Sequence, residues 1–337
     1  MKIAVVGGGV FGCTSAIQLA ELGHNVTLFD LNQSILMSAS GINQYRLHRG
    51  YHYPRSNEMV NLTNDFENEY TDCIIKHNYK RYYAIAVSGS KTTPEQYISF
   101  LKQNKLEYKI VEPFVNASLM VQVNENSFDV GLLYLNVWKK LHKYDVKVKM
   151  NTKFTEENIN DFDLTINATY SNLNDLIPVE EQRDYQFELC EKVIVKTPDK
   201  FKNKSLVIMD GEFCCIDPFG NSNHHSLLGH VKEALHDTFI GKQYKAQSAY
   251  KSVLNRGIIK YFHLSKHKQI MRSCAEHFQT KFDYVGSMYT VRTVLPNKEV
   301  DDARPTQLIK HNDKLISVFG GKIATSVNIV NELIKII

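Results

Sequence analysis

The sequence has no stretch of 18 apolar residues, so no segment is long enough to cross a bilayer as a helix. Its one apolar run near the N-terminus, Ile3 to Val6, passes into three glycines instead of a signal-peptide core, and we expect a cytoplasmic protein with no membrane partner. Cysteine is sparse and scattered: the six residues Cys13, Cys73, Cys190, Cys214, Cys215 and Cys274 form no CxxC pair and have no histidine at ligand spacing. That excludes a zinc site and a disulfide framework, leaves no metal to expect, and predicts reduced, buried thiols. An excess of either charge is also missing, since 40 Lys and Arg stand against 36 Asp and Glu. A net charge of +4 is too small for a duplex-binding surface, so no nucleic-acid partner is expected. What remains is 337 residues, 43% of them hydrophobic, enough for a sizeable core and for two domains at about 150 residues each.

Residues 2–30 read as one βαβ unit. The strand KIAVV leads through a glycine turn into a helix from Phe11 to Leu22, Gly23 stops it, and NVTLFD is the second strand. Both strands are too apolar to be half exposed, which predicts a parallel sheet covered on both faces. The polar stretch Gln33 to Ser56 is too long for an ordinary connection and is a candidate functional loop. Helical spacing returns from Asn57 to Asn78, followed by a strand at Tyr82 to Val87 and a helix at Thr93 to Asn104. A helix at Leu132 to Leu141 places the single tryptophan, Trp138, on its apolar side, in the core. Strands follow at Asp145 to Met150 and Asp163 to Ala168, the second returning to the parallel sheet. From Phe187 to Val231 the alternating runs EKVIVKT, SLVIMD and SLLGHV, with the turn DPFGNSN, predict an antiparallel sheet. His224, His225 and His230 lie on its hairpin, and neighbouring His224 and His225 point to opposite faces, which suits one buried and one exposed residue better than a metal site. A helical region from about Ala246 to Phe278 comes next, then the strand KLISVF, a Gly-Gly-Lys turn and a C-terminal helix.

Gly7, Gly9 and Gly12 form GxGxxG between a strand and a helix, with Val10 and Phe11 inside the motif and Asp30 ending the next strand. The first glycine permits the tight turn, the second lets backbone approach a pyrophosphate, and the third packs helix against strand. The pyrophosphate would sit on the helix N-terminus, where free N–H groups and the dipole favour an anion. Asp30 can accept from both ribose hydroxyls and would repel a 2′-phosphate, which disfavours NADP. The motif does not separate FAD from NAD, and an NAD-dependent dehydrogenase would share it.

The segment VFGGKIATS (Val318 to Ser326) resembles the closing motif of the D-amino-acid-oxidase-like (DAO) FAD-dependent oxidoreductase superfamily, which includes glycine oxidase, glycerol-3-phosphate dehydrogenase and L-2-hydroxyglutarate dehydrogenase. DLTINATYSN (Asp163 to Asn172), VRTVLP (Val291 to Pro296) and ASGINQYRLHRGYHYPRS (Ala39 to Ser56) resemble further segments of the family in the expected order. Thr293, Thr169 and Tyr170 depart from its pattern, which has proline after the arginine and small residues after Ala168. The resemblance implies an α/β fold in which a Rossmann-like parallel FAD-binding sheet is built from residues 1–78, 132–172 and 301–337. An interleaved antiparallel-sheet substrate domain would take residues 79–131 and 173–300. It implies FAD as cofactor, held by Gly7, Gly9, Val10, Phe11, Gly12, Asp30, Asn43, Arg46, Ala168, Gly320, Gly321, Ile323, Ala324 and Thr325. The helix N-terminus from Gly320 to Thr325 would offer N–H donors to negative charge on the reduced flavin, although a plain helix-entry turn would have the same sequence.

Arg46, His48, Arg49, Tyr51, His52, Tyr53 and Arg55 crowd into ten residues that contain no acid. Guanidinium forks suit carboxylate, phosphate or pyrophosphate; a solvated basic loop is the other reading. His48 matches the family histidine near the flavin ring and, as a neutral base, would take a hydroxyl proton; covalent flavin attachment and plain packing are its other roles. Arg292 matches the family anchor for a substrate carboxylate. Arg304 is either a second anion contact or the partner of Asp301 or Asp302, and Lys322 lies within reach of flavin or substrate. The candidate catalytic set is therefore His48, His52, Arg292, Arg304 and Lys322, acting on a small anionic substrate by hydride transfer from a carbon bearing a hydroxyl or an amine. An RNA-binding or tRNA-modifying flavoprotein would share the fold and the pI near 8.5.

Overall fold

The computed structural model describes residues 1–337 except 57–59, 61–63, 76–78, 222 and 298–303, and of Asn64 the backbone alone. Four central strands too apolar for solvent on either face, with a more polar strand at each edge, build a six-stranded sheet. With strands numbered in chain order, it runs β14 (Gln307–Asn312), β15 (Leu315–Phe319), β7 (Leu164–Asn167), β1 (Lys2–Val6), β2 (Asn25–Phe29) and β6 (Lys147–Lys149). Neighbours are parallel except β14, an antiparallel edge strand that the sequence pattern does not reveal. Ile3 lies between Val26 and Leu164, which puts Val6, Phe29 and Asn167 at the carboxyl end where α/β sheets bind ligands.

One face of this sheet packs Ile3, Val5, Leu28, Ile166 and Val318 against α1 (Val10–Glu21), with Cys13 and Ile17, and against the C-terminal helix through Val330 and Leu333. The other face carries Ala4, Val6 and Phe29 under Phe154 and Leu176. Burial on both sides, about 1.5–3 kcal/mol for each large side chain, is what keeps the strands apolar.

The second sheet has nine strands. Its path is β12 (Leu235–Gly241), β8 (Tyr185–Lys196), β11 (His225–His230), β10 (Cys214–Pro218), β9 (Lys204–Met209), β3 (Lys80–Ala86), β5 (Ala117–Val123) and β4 (Tyr108–Val111), with β13 (Tyr284–Val294) on the free side of β8. All pairs are antiparallel except β3 with β9, where the chain's first visit to this sheet meets its second. The expected antiparallel sheet is thus mixed at that seam.

Two helical readings of the sequence change. The helix expected over 57–78 is reduced to α2 (Asn64–Glu69) and a 3₁₀ turn at Thr71–Cys73, and the remainder of that stretch lies partly outside the described residues. Helices α3 (Pro94–Gln103) and α4 (Val130–Lys143) stand as expected, the first closed by a Thr93/Gln96 capping box. The helical region 246–278 divides into the short α5 (Ser248–Lys251) and α6 (His267–Phe278). Between them residues 252–266 run as turns along the outer edge of β13, bridging Leu254 to Tyr289 and Ile259 to Ser287. Apolar residues at helical spacing there answer to a sheet edge instead of a helix face. Trp138 is half-buried, edge-on to Tyr134. The C-terminal helix, α7 (Ser326–Ile334), follows a 3₁₀ turn at Ile323–Thr325. All six cysteines are buried and unbridged, His224 is exposed, His225 intermediate and His230 buried, and the described residues hold no metal-ligand cluster.

Candidate active site

A cavity of about 1450 Å³ is lined by residues of both sheets. Pockets for one small molecule measure about 300–1000 Å³, so this one has room for a dinucleotide and a substrate.

Its nucleotide end is made mostly of backbone. Gly7 sits at φ +107°, and a Cβ there would fall 2.4 Å from the Ala168 carbonyl oxygen; one at Gly12 would fall 1.9 Å from that of Gly7. Only glycine lets β1, β7 and α1 converge this closely. Helix α1 starts at Gly9 with no side-chain cap, and the N–H groups of Phe11 and Gly12 have no intrahelical acceptor. Ser40 Oγ accepts the Val10 N–H at 2.9 Å. Asp30 Oδ2 accepts the Gly8 N–H, its Oδ1 accepts from the Asn32 backbone at 2.6 Å and side chain at 2.9 Å, and the carboxylate lines the cavity. An uncapped, dipole-positive helix start beside a fixed carboxylate fits the pyrophosphate and ribose of FAD.

The expected cofactor contacts divide here. Gly7, Gly9, Val10, Phe11, Asp30, Ala168, Gly320, Gly321, Ile323 and Ala324 all line the cavity, whereas Gly12 packs beneath it. Asn43 lines it too, but its amide is consumed within the loop, donating to Ala39 and Ser40 carbonyls and accepting from the Tyr45 N–H at 2.6 Å. Thr325 turns inward, its hydroxyl bonded to the Lys322 carbonyl at 2.7 Å and to Thr306. The Gly320–Gly321 pair has a packing reason of its own: added Cβ atoms would fall 2.4 Å from the Phe11 ring and 2.0 Å from the Arg304 carbonyl oxygen.

The three arginines of the basic loop are engaged by carboxylates from distant segments. Arg49 forms a fork on Glu67 at 2.8–3.0 Å, and Arg55 bonds Asp210 at 2.7 Å. Arg46 is buried and lies 3.3 Å from Asp217, which Arg81 holds from its other side at 3.1 Å. Arg49 and Arg55 therefore tie the loop to those segments, and Arg55 also lines the cavity. Arg46 still lines the cavity, and its Nε and Nη1 lack hydrogen-bond partners.

His48 and His52 line the cavity with ring centroids 5.4 Å apart, and the buried Nδ1 of each has no hydrogen-bond partner among the described residues. Burial, followed by a ring of cations including Arg46, Lys322 and Arg304, holds both imidazoles well below their ordinary pKa. They are neutral bases at pH 7. Lys322 is buried, its Nζ has no hydrogen-bond partner among the described residues, and it lies 3.7 Å from the centre of the Tyr53 ring. Burial and then Arg304 push its pKa well down. Arg304 lines the cavity, and among the described residues no carboxylate pairs with it; Asp301 and Asp302, its expected partners, lie outside those residues.

Arg292, the expected anchor, lines the cavity. Its Nε and Nη2 both meet Glu188, and although burial works against the Glu188 carboxylate, Arg292, the Gln186 side chain and Arg304 together hold that group below its usual range. One edge of its guanidinium is thus engaged by Glu188.

Strand β8 supplies what sequence reasoning missed. Gln186, Glu188, Cys190 and Lys192, every second residue, line the cavity. The signal was polar residues alternating with Phe187 and Leu189 upstream of EKVIVKT. Lys192 has no hydrogen-bond or ion-pair partner among the described residues, and burial lowers its pKa. Two of the three departures from the family pattern meet each other: the Thr293 N–H, which a proline would lack, donates to Tyr170 Oη at 3.0 Å.

Comparison with known proteins agrees with this geometry. A model of the FAD dependent oxidoreductase (DAO) family matches residues 2–113. The FAD-dependent monooxygenase kojA of Aspergillus flavus is 26% identical over 371 residues, covering 100% of this chain and 86% of that protein. The crystal structure of glycine oxidase from Geobacillus kaustophilus superposes with a TM-score of 0.69 at 14% identity, covering 99% of this chain and 93% of the other. Glycerol-3-phosphate dehydrogenase from Bacillus halodurans, solved with FAD, gives a TM-score of 0.62 at 12% identity, covering 100% of this chain and 64% of the other.

Proposed function

We propose that this chain, which belongs to the DAO family of FAD-dependent oxidoreductases, oxidises a small carboxylate at the adjacent carbon, an amino acid in the first instance. The observation that carries the reading is a set of cations with no carboxylate partner among the described residues, Arg304 and Lys322 with Lys192 beyond them, that shares one cavity with two uncharged histidines. FAD, bound across the glycine turn, supplies the two-electron acceptor for a hydride from the substrate carbon.

Arg304 and Lys322 hold the substrate carboxylate and so aim one C–H bond; orientation of this kind supplies much of the rate in such reactions. Binding an anion also favours the charged form of Lys322, because the negative charge offsets the desolvation that lowers its pKa. The same cations disfavour an ammonium group nearby, so the substrate amine enters its reactive, neutral form, with His48 or His52 able to take the proton. The Tyr53 and Phe11 rings and the buried walls keep the site apolar around these charges.

A 2-hydroxy acid is the second reading, favoured by one observation: a neutral imidazole beside the cations is the base that a hydroxyl requires and a neutral amine does not. Anaerobic bleaching of the flavin by panels of amino acids, 2-hydroxy acids and their amides tests both. Bleaching by amino acids but not their amides is the expected result. Bleaching by hydroxy acids alone, abolished in His48→Asn, selects the second reading, and equal bleaching by amides removes the carboxylate anchor from both.

A further inference from the structure

The even charge count of the chain conceals an asymmetry. Between Asp237 and Glu276 there are eight Lys and Arg (Lys242, Lys245, Lys251, Arg256, Lys260, Lys266, Lys268 and Arg272) and no Asp or Glu; elsewhere 32 basic residues face 36 acidic ones. The segment is strongly positive on a body that is net negative. Seven of the eight side chains are exposed, Lys266 being the exception. Among the described residues only Arg272 has an ion-pair partner, Glu276 at 3.7 Å.

Apolar side chains stand among these cations. Ile258 is 48% exposed, Tyr261 47% and Phe262 60%, within one run of turns that also carries Arg256, Lys260 and His263. Phe262 leans on His267 at the start of α6, so it shares a shallow cleft with Lys266 and Lys268. The patch is thus continuous from the turn onto the helix. The segment also forms part of the cavity wall through Tyr244, Ala246, Leu254 and Asn255.

We propose that this face docks on an anionic lipid bilayer, with Ile258, Tyr261 and Phe262 entering the headgroup region and Arg256, Lys260 and Lys268 meeting lipid phosphates. The occupant follows from charge complementarity and from the type of apolar group exposed: aliphatic and aromatic side chains flanked by unpaired cations suit an interface that is apolar inside and anionic at its surface. No helix among the described residues is long and apolar enough to cross a membrane, so the contact is with the surface.

Co-sedimentation of the FAD-loaded protein with phosphatidylcholine vesicles, with and without phosphatidylglycerol, tests this. The protein should pellet with the anionic vesicles only, and raised salt should weaken binding. Arg256→Glu/Lys260→Glu/Lys268→Glu should weaken binding by roughly a hundredfold or more, and Tyr261→Ser/Phe262→Ser should abolish the part that survives raised salt. None of these residues lines the cavity, so unchanged flavin content verifies that each variant is folded. Failure to pellet with anionic vesicles at low salt, or equal pelleting with neutral ones, overturns the proposal. So does tRNA retention tighter than vesicle binding at the same salt with Tyr261→Ser/Phe262→Ser unaffected in pelleting, which would assign the face to nucleic acid.

Discussion

The two ends of the cavity are built from different materials. The nucleotide end is backbone: glycines with no room for a Cβ, a bare helix start, and one carboxylate fixed by Gly8 and Asn32. The substrate end is charged side chains drawn from β8, β13, the residues before β14 and the basic loop, some neutralised and some not. A backbone site tolerates almost no change in shape, whereas a side-chain site is defined by which charges find partners. Arg46, Arg49, Arg55 and Arg292 have carboxylates; Arg304, Lys322 and Lys192 have none among the described residues. Recognition of a new anion falls to the second group.

The sharpest way to break the contrast is at the nucleotide end. Gly12→Val puts side-chain atoms where even a Cβ would lie 1.9 Å from the Gly7 carbonyl oxygen, and we expect loss of bound flavin, read from its visible absorbance. Flavin retained at full occupancy would mean that the turn does not hold the cofactor.

At the other end the paired and unpaired cations should separate into stability and binding. Arg292→Met leaves the Glu188 carboxylate buried without its partner, and a broken buried pair costs about 3 kcal/mol or more. Denaturant titration should show that loss, and Arg292→Met/Glu188→Gln should recover most of it. Arg304→Met should instead leave stability nearly unchanged and weaken a carboxylate ligand by about 2 kcal/mol, roughly thirtyfold. Equal effects of the two substitutions on binding would erase the distinction.

The histidines sharpen it more gently. Their folded pKa values lie below the ordinary 6.5, so the unfolded chain takes up protons first as pH falls. Their contribution to stability is complete above pH 6.5 and is lost below it, by up to about 1.4 kcal/mol per pH unit for each histidine. Thermal melts of the wild type between pH 7 and 5 should fall more steeply than those of His48→Gln/His52→Gln. Parallel curves would show that the imidazoles are protonated in the folded protein.

The same contrast explains what could be read from the sequence. A turn such as Gly7 to Gly12 is local: strand, spacing, helix and Asp30 lie within thirty residues and announce themselves by position. The interleaving of the two sheets was legible for the same reason, since DLTINA and KLISVF carry the mark of buried parallel strands. The fate of each arginine was not legible, because Glu67, Asp210, Asp217 and Glu188 reach the loop and β13 only through tertiary structure. A loop without acids is a statement about sequence neighbours; Arg49 and Arg55 show how little it says about spatial ones. Strands β12 and β13 were missed because turns and half-exposed edges weaken their alternation. Gln186 to Lys192 carried a readable alternation that was overlooked.

The most direct test of the account is rapid-mixing reduction of the bound flavin by the amino acid that bleaches it fastest, compared with its amide, in wild type and in Arg304→Met/Lys322→Met. The account predicts saturating reduction by the acid, little by the amide, and in the double variant a rate that rises linearly with acid concentration and no longer distinguishes the two. Saturating, acid-selective reduction that survives in the double variant would contradict it.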